Sequence, residues 1–277
     1  MGRGSKTKIQ VWVIDGSNRR SRSDHLATEE PLEIRLTSPR RTIAITMRTP
    51  GADFELTAGF LYGEGVIRQP GDIQRLSYCV DPDVDGEQRQ NIINVELHPD
   101  LQPNLQPLER HFYTSSACGV CGKASLDALK LRLDQPIPTG QQVTAAVICS
   151  LPDRLRQAQG IFNSTGGLHA AALFNLQGNL LAVQEDVGRH NALDKLVGTA
   201  FLNRDLPWHD RIVLVSGRTS FEILQKCVTA GVAIVCAVSA PSSLAVEVAR
   251  EFGITLIGFL RGQRFNVYSG IERIQSD

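Results

Sequence analysis

The sequence has 277 residues, enough for two domains, and its 29 basic and 29 acidic side chains cancel to a net charge of zero. No whole-molecule field therefore draws it toward nucleic acid or an anionic membrane. Apolar runs such as 211–216 and 232–238 fall far short of the roughly 20 residues that cross a bilayer. The first residues hold neither an apolar h-region nor a small-residue cleavage site, so the expected location is the cytoplasm.

Residues 1–24 carry Arg3, Lys6, Lys8, Arg19, Arg20 and Arg22 against only Asp15 and Asp24, and read as a mobile basic tail. Residues 25–108 read as a small α+β domain. Alternating apolar positions predict strands over 31–36 and 41–47, joined by a turn at Ser38-Pro39. Helical spacing follows from Asp53 and ends at Gly63 and Gly65, and further strands are expected near 75–80 and 91–97, completing a small antiparallel sheet. Proline and polar residues over 98–108 mark a domain boundary.

Residues 109–277 open with a Cys-x-x-Cys loop and a helical pattern over 124–133. Short apolar strands then alternate with helices: strand 180–184 and helix 191–201, strand 211–216 and helix 219–229, strand 232–238 and helix 242–251, then strand 254–260. This rhythm predicts an α/β layer on a largely parallel sheet.

Six cysteines, at positions 79, 118, 121, 149, 227 and 236, are too few and scattered for a disulfide scaffold. Cys79, Cys149, Cys227 and Cys236 sit in apolar stretches, where free cysteine acts as a small buried hydrophobe. Cys118 and Cys121 stand three apart among Gly119, Gly122 and other small residues, just before Lys123 and the helical pattern. A helix start and a neighbouring ammonium both stabilise thiolate. A structural zinc site would need two more ligands in a recognisable spacing. A thioredoxin-like pair would open the first helix of an early βαβ unit. A persulfide carrier, in which one thiolate holds sulfane sulfur and the other assists its exchange, fits the same spacing. Spacing alone does not choose among these. A deaminase zinc site is disfavoured, since Ala117 stands where its motif has proline and no histidine is followed two residues later by glutamate.

Three polar clusters follow predicted strands: 185–191, 216–222 and 258–264. Each joins glycine and arginine at a strand end, where free backbone N–H groups and guanidinium can hold an anion; helix capping with a salt bridge is the alternative.

Together these segments resemble the FdhD family of formate dehydrogenase accessory proteins. The resemblance rests on Cys118-Gly-Val-Cys121-Gly, on 167–172, on 185–195, on 216–226, on 243–249 and on 256–259. It implies a cytidine-deaminase-like α/β domain without the deaminase zinc, preceded by a smaller α+β domain and assembled as a homodimer. It also implies a sulfur carrier that takes sulfur from a cysteine desulfurase and gives it to the molybdenum bis-guanine-dinucleotide cofactor required by a formate dehydrogenase. Carried over by position, Cys118 is the persulfide-bearing residue and Cys121 its helper. The guanine-nucleotide segment maps to Phe259, Leu260, Arg261, Gly262, Gln263 and Arg264. No resident metal is expected.

Overall fold

The computed structural model describes residues 4–105, 129–130 and 136–275. Cys118, Cys121 and most of the helix predicted over 124–133 lie outside the described residues. The first element is a correction to the expected tail. Strands β1 (Lys6–Asp15) and β2 (Asn18–Ala27) pair antiparallel over their whole length as a two-stranded ribbon. Composition suggested disorder, but Ile9, Val11 and Val13 recur at every second position as the half-buried side of the strand, and Gly16 supplies the positive φ of 60° that a tight hairpin turn needs.

The small domain holds β3 (Glu30–Thr37), β4 (Arg40–Arg48), α1 (Asp53–Gly63), β5 (Ile73–Tyr78) and β6 (Ile92–Leu97). Its strand order is β4-β3-β6-β5. The sheet is mixed rather than wholly antiparallel, because β6 runs parallel to β3, the chain between them having crossed over through α1. Leu32, Ile34, Leu36, Ile93 and Val95 from the sheet meet Leu56 and Leu61 from the helix in one buried cluster. Asp53 and Glu55 lie in the first turn of α1, where the helix dipole favours anions. Arg48 at the end of β4 grips both oxygens of Asp53 at 3.0 Å, which fixes the entry angle of that helix.

The large domain comprises β7 (Val143–Thr144), α2 (Ala145–Ala158), α3 (Phe162–Thr165), β8 (His169–Asn175), β9 (Leu180–Asp186), α4 (Arg189–Leu202), β10 (Arg211–Val215), α5 (Phe221–Thr229), β11 (Ile234–Ala237), α6 (Ser243–Glu251), β12 (Thr255–Arg261), β13 (Arg264–Ser269) and β14 (Ile274–Gln275). Six of these strands form a sheet in the order β13-β12-β11-β10-β8-β9. The predicted strand-helix series recurs in it within a few residues of the expected bounds. Only β10, β11 and β12 run parallel, however; β8, β9 and β13 pair antiparallel with their neighbours. The continuous apolar runs of β10 and β11 are the signature of strands buried on both faces. The alanine-rich β8 gave no such sign in the sequence.

The two domains pack through α1 and α4. At their crossing a Cβ on Gly59 would lie 1.9 Å from the Asp194 carbonyl oxygen, and one on Gly198 would lie 1.8 Å from that of Glu55; only hydrogen fits at either place. Among the described residues no helix is long and apolar enough to cross a membrane.

Candidate functional site

The C-terminal ends of parallel strands β10, β11 and β12 open side by side, where open α/β sheets receive ligands. Backbone hydrogen bonds hold the three following loops in a row. Thr219 donates to the Ala240 carbonyl at 3.3 Å, Ser242 donates to the Thr219 carbonyl at 2.9 Å, and Phe259 donates to the Ser239 carbonyl at 3.1 Å. The Thr219 hydroxyl is buried in this row without a hydrogen-bond partner among the described residues.

The segment 259–264 begins inside β12. A register shift between Gly258 and Arg261 bulges the strand, and Phe259 takes a left-handed backbone with φ 53°. The bulge turns Phe259 outward, 43% exposed, while Leu260 is driven fully into the core. Leu260 therefore offers a ligand its backbone alone. Arg261 pairs with Arg264 across the turn Gly262-Gln263, in which Gly262 has φ 54°. Residues 261–264 are all exposed, and neither arginine forms an ion pair among the described residues. Two unneutralised guanidinium groups beside an outward aromatic ring suit the stacking and charge-assisted binding of a nucleotide.

A second group is built on β8, α4 and the loop after β10, two strands away from β12 in the sheet. His169 pairs in register with Asp186 across the β8–β9 ladder. Gly217 sits against both neighbours: a Cβ there would lie 3.3 Å from Arg189 Cδ and 3.4 Å from His169 Nδ1. Burial, with help from the Arg189 charge, lowers the His169 pKa. Arg189 Nε is buried without a hydrogen-bond partner among the described residues. His190 Nε2 stands 3.2 Å from Ser220 Oγ, which donates to Glu222 Oε2 at 2.6 Å. Because the serine proton goes to the carboxylate, His190 Nε2 is the donor to Ser220, which leaves Nδ1 the acceptor tautomer. Burial and the neighbouring Arg189 and Lys226 push its pKa down to about 4, so the ring is neutral at pH 7.

The rest of the 185–195 motif is structural. Glu185 accepts from the backbone N–H of Ile161 and Phe162 at 2.9 and 2.8 Å, capping α3. The wholly buried Asp186 accepts from Lys195 Nζ at 2.7 Å, from Asn191 Nδ2 at 3.0 Å and from the backbone of Gly188 and Thr49 at 2.9 and 3.0 Å. Lys195 also donates to the Thr49 carbonyl at 2.8 Å. One carboxylate and one ammonium thereby lock the two domains together, and only Arg189 and His190 of the motif are left facing the site. Sequence reasoning missed the Lys226–Asp194 pair, buried with an N···O distance of 2.6 Å; no local signal joins residues 32 positions apart on different helices.

The remaining thiols are accounted for. Cys79, Cys149, Cys227 and Cys236 are all buried and unbridged, as expected. Burial pushes the Cys227 thiol up to about 12 and raises that of Cys236 as well. Among the described residues no cluster of three or more His, Cys, Asp or Glu is arranged to hold a metal ion.

Fold and site together define an α/β protein of two main sheets that carries two exposed arginines and an outward aromatic ring on the hairpin after its last parallel strand. The FdhD/NarQ family model matches residues 27–275. A Sulfur carrier protein FdhD of Streptomyces coelicolor is 51% identical over 99% of this chain and 97% of its own length. One of Sulfolobus acidocaldarius is 42% identical over 96% of this chain and 98% of its own. A crystal structure named as that of a formate dehydrogenase accessory protein from Desulfotalea psychrophila superposes with a TM-score of 0.74 at 28% identity, covering 98% of this chain and 99% of that one. The chain belongs to the FdhD/NarQ family.

Proposed function

We propose that the protein is a cytoplasmic sulfur carrier that sulfurates the molybdenum bis-guanine-dinucleotide cofactor on its way into a formate dehydrogenase. The observation that carries this reading is the sorting of the cysteines. Four of the six are locked in the core, which leaves Cys118 and Cys121 as the candidates for sulfur chemistry, and relatives matching nearly end to end are named sulfur carriers.

In the first step the Cys118 thiolate attacks the outer sulfur of a cysteine desulfurase's persulfide; the new S–S bond forms as the old one breaks, and the donor leaves as thiolate. In the second, the helper thiol Cys121 attacks the inner sulfur of the Cys118 persulfide. The outer sulfur departs as sulfide toward molybdenum, and a Cys118–Cys121 disulfide remains for a cellular thiol to reopen. The exposed Phe259 and the charges of Arg261 and Arg264 support a role for 259–264 in holding the cofactor's guanine nucleotide, with the backbone of Leu260, Gly262 and Gln263 shaping the turn. The β8–β9 hairpin leading into three parallel strands supports a cytidine-deaminase-like topology for the large domain. We take the working form to be a homodimer that engages neither nucleic acid nor membrane.

The test is mass spectrometry of the protein after incubation with a cysteine desulfurase and cysteine. A gain of one sulfur on the peptide containing Cys118 is the expected result. A disulfide with no added sulfur would instead indicate a plain dithiol oxidoreductase, and nucleotide binding with no thiol chemistry a cofactor chaperone.

A further inference from the structure

The β1–β2 ribbon has no part in the sulfur chemistry. Directly paired residues of an antiparallel ribbon share a face, so the register Lys6↔Ala27, Lys8↔His25, Trp12↔Ser21 and Ile14↔Arg19 gathers Lys6, Lys8, Trp12, Ile14, Arg19 and His25 on one side. All six are exposed, Trp12 at 61% and Ile14 at 72%. Arg19 lies over the Trp12 ring at 4.3 Å, and Lys6, Lys8 and Arg19 form no ion pair among the described residues. The acids within 6–27 are Asp15 and Asp24. Both alternate onto the other side with the half-buried Ile9, Val11 and Val13, where Asp24 pairs with Arg22 at 3.6 Å. One side of the ribbon is therefore a strip about 33 Å long that is apolar and cationic and holds no carboxylate.

The fold sets where this strip stands. The ribbon's base meets the start of β8, since a Cβ on Gly167 would lie 4.0 Å from Ala27 Cβ. β8 runs antiparallel to β10, with Ala171 opposite Val215, so its start lies at the carboxyl end of β10. The segment 259–264 projects from that same end of the sheet, three strand spacings or roughly 14 Å away. Exposed apolar side chains grouped on one surface mark an interaction site, and Trp with Arg are the usual anchors of protein interfaces. Proteins that bind DNA through charge make about 6–10 phosphate contacts, and polybasic membrane sites gather about 4–8 Lys or Arg; three fixed cations fall short of both. A few carboxylates set around an apolar patch on a protein would match the strip.

We propose that the face of the ribbon bearing Lys8, Trp12 and Arg19 docks on an acidic surface of the formate dehydrogenase apoenzyme that receives the cofactor. A protein seated there stands at the sheet end that carries 259–264, where a cofactor can pass from one chain to the other without crossing the molecule. The inference deepens the sulfur-carrier reading and rests on it, naming the surface that meets the recipient.

Interferometry of the full chain on immobilised apo-formate dehydrogenase from the same organism tests it. Trp12→Ala, and Lys8→Glu with Arg19→Glu, should each raise Kd by about tenfold or more, and the affinity of the unaltered chain should fall with added salt. Arg20→Glu, on the other side of the ribbon, should bind as the unaltered chain does. In that unaltered chain, hydrogen exchange over 6–27 should slow when the apoenzyme is bound, a readout that needs no substitution. Equal affinity in the Trp12 and Lys8/Arg19 variants, or no protection over 6–27, would overturn the proposal. So would tighter binding to a thymidine oligonucleotide or to phosphatidylglycerol vesicles that the same substitutions abolish, which would give the face to nucleic acid or membrane. Sulfur loading of the Cys118 peptide by a cysteine desulfurase tests the underlying reading separately, and the Lys8/Arg19 variant should load normally. A variant that loads poorly yet still binds the apoenzyme would assign the face to the sulfur donor and overturn the docking proposed here.

Discussion

Cys227 on α5 and Cys236 on β11 are fully buried, and ionising either thiol would strand a charge in the core. Native protein treated with iodoacetamide at mildly alkaline pH should therefore be alkylated at Cys118 and Cys121 and spared at Cys79, Cys149, Cys227 and Cys236. Unfolded protein should be modified at all six. Peptide mapping reads the outcome, and rapid native labelling of Cys227 would contradict it. The apolar neighbours of those four positions already announced their burial, so this part of the site was legible residue by residue. His190 was not. Its depressed pKa comes from burial and from Arg189 and Lys226, the latter brought in by a different helix. Because the folded state disfavours the imidazolium, the unfolded chain binds more protons between about pH 6.5 and pH 4. Stability should accordingly fall as pH is lowered through that window, and His190→Gln should flatten the fall in urea titrations at pH 7, 5.5 and 4.5. At the β12–β13 hairpin, replacing Arg261 and Arg264 together by alanine should weaken GDP binding by an order of magnitude or more in calorimetry, since charge-assisted hydrogen bonds contribute roughly 1.5–3 kcal/mol each.

Among elements, the crossing of α1 and α4 is the most demanding contact. Gly59→Ala or Gly198→Ala would press a methyl group into a backbone carbonyl less than 2 Å away, and backbone cannot rotate aside as a side chain can. Overpacking of cores typically costs about 1–3 kcal/mol; a loss at or above the top of that range is expected for each variant, read as a lower urea midpoint with unchanged slope. The helices and parallel strands of the large domain were legible because their signals are local: short unbroken apolar runs alternating with helical stretches. The ribbon was not, because its charged composition outweighed its alternation. Strand direction was also hidden. Nothing within β6 itself says that it lies parallel to β3, or within β8 that it lies antiparallel to β10; that follows from where the connecting helices run.

At the scale of the whole molecule, the domains share a helix interface and a buried lock of Asp186, Lys195 and Thr49. They should unfold as one cooperative unit, giving a single calorimetric transition in spite of two cores. Lys195→Met leaves the Asp186 carboxylate buried without its cation, and removing one partner of such a pair costs roughly 3–5 kcal/mol. The variant should melt markedly lower, and separation into two transitions would show that the lock carries the coupling. By itself the sequence determined the zero net charge, the strand-helix rhythm of the large domain, the burial of four cysteines and the family resemblance, because each is written in composition or in neighbouring residues. Only the tertiary structure decided that the N-terminal basic segment is a ribbon and that most of the 185–195 motif joins the domains. It alone turns Leu260 inward while Phe259 points outward, and it alone brings His190, Ser220 and Glu222 together. Each of those outcomes depends on groups far apart in the chain meeting in space, and chain order carries no local signal of such a meeting.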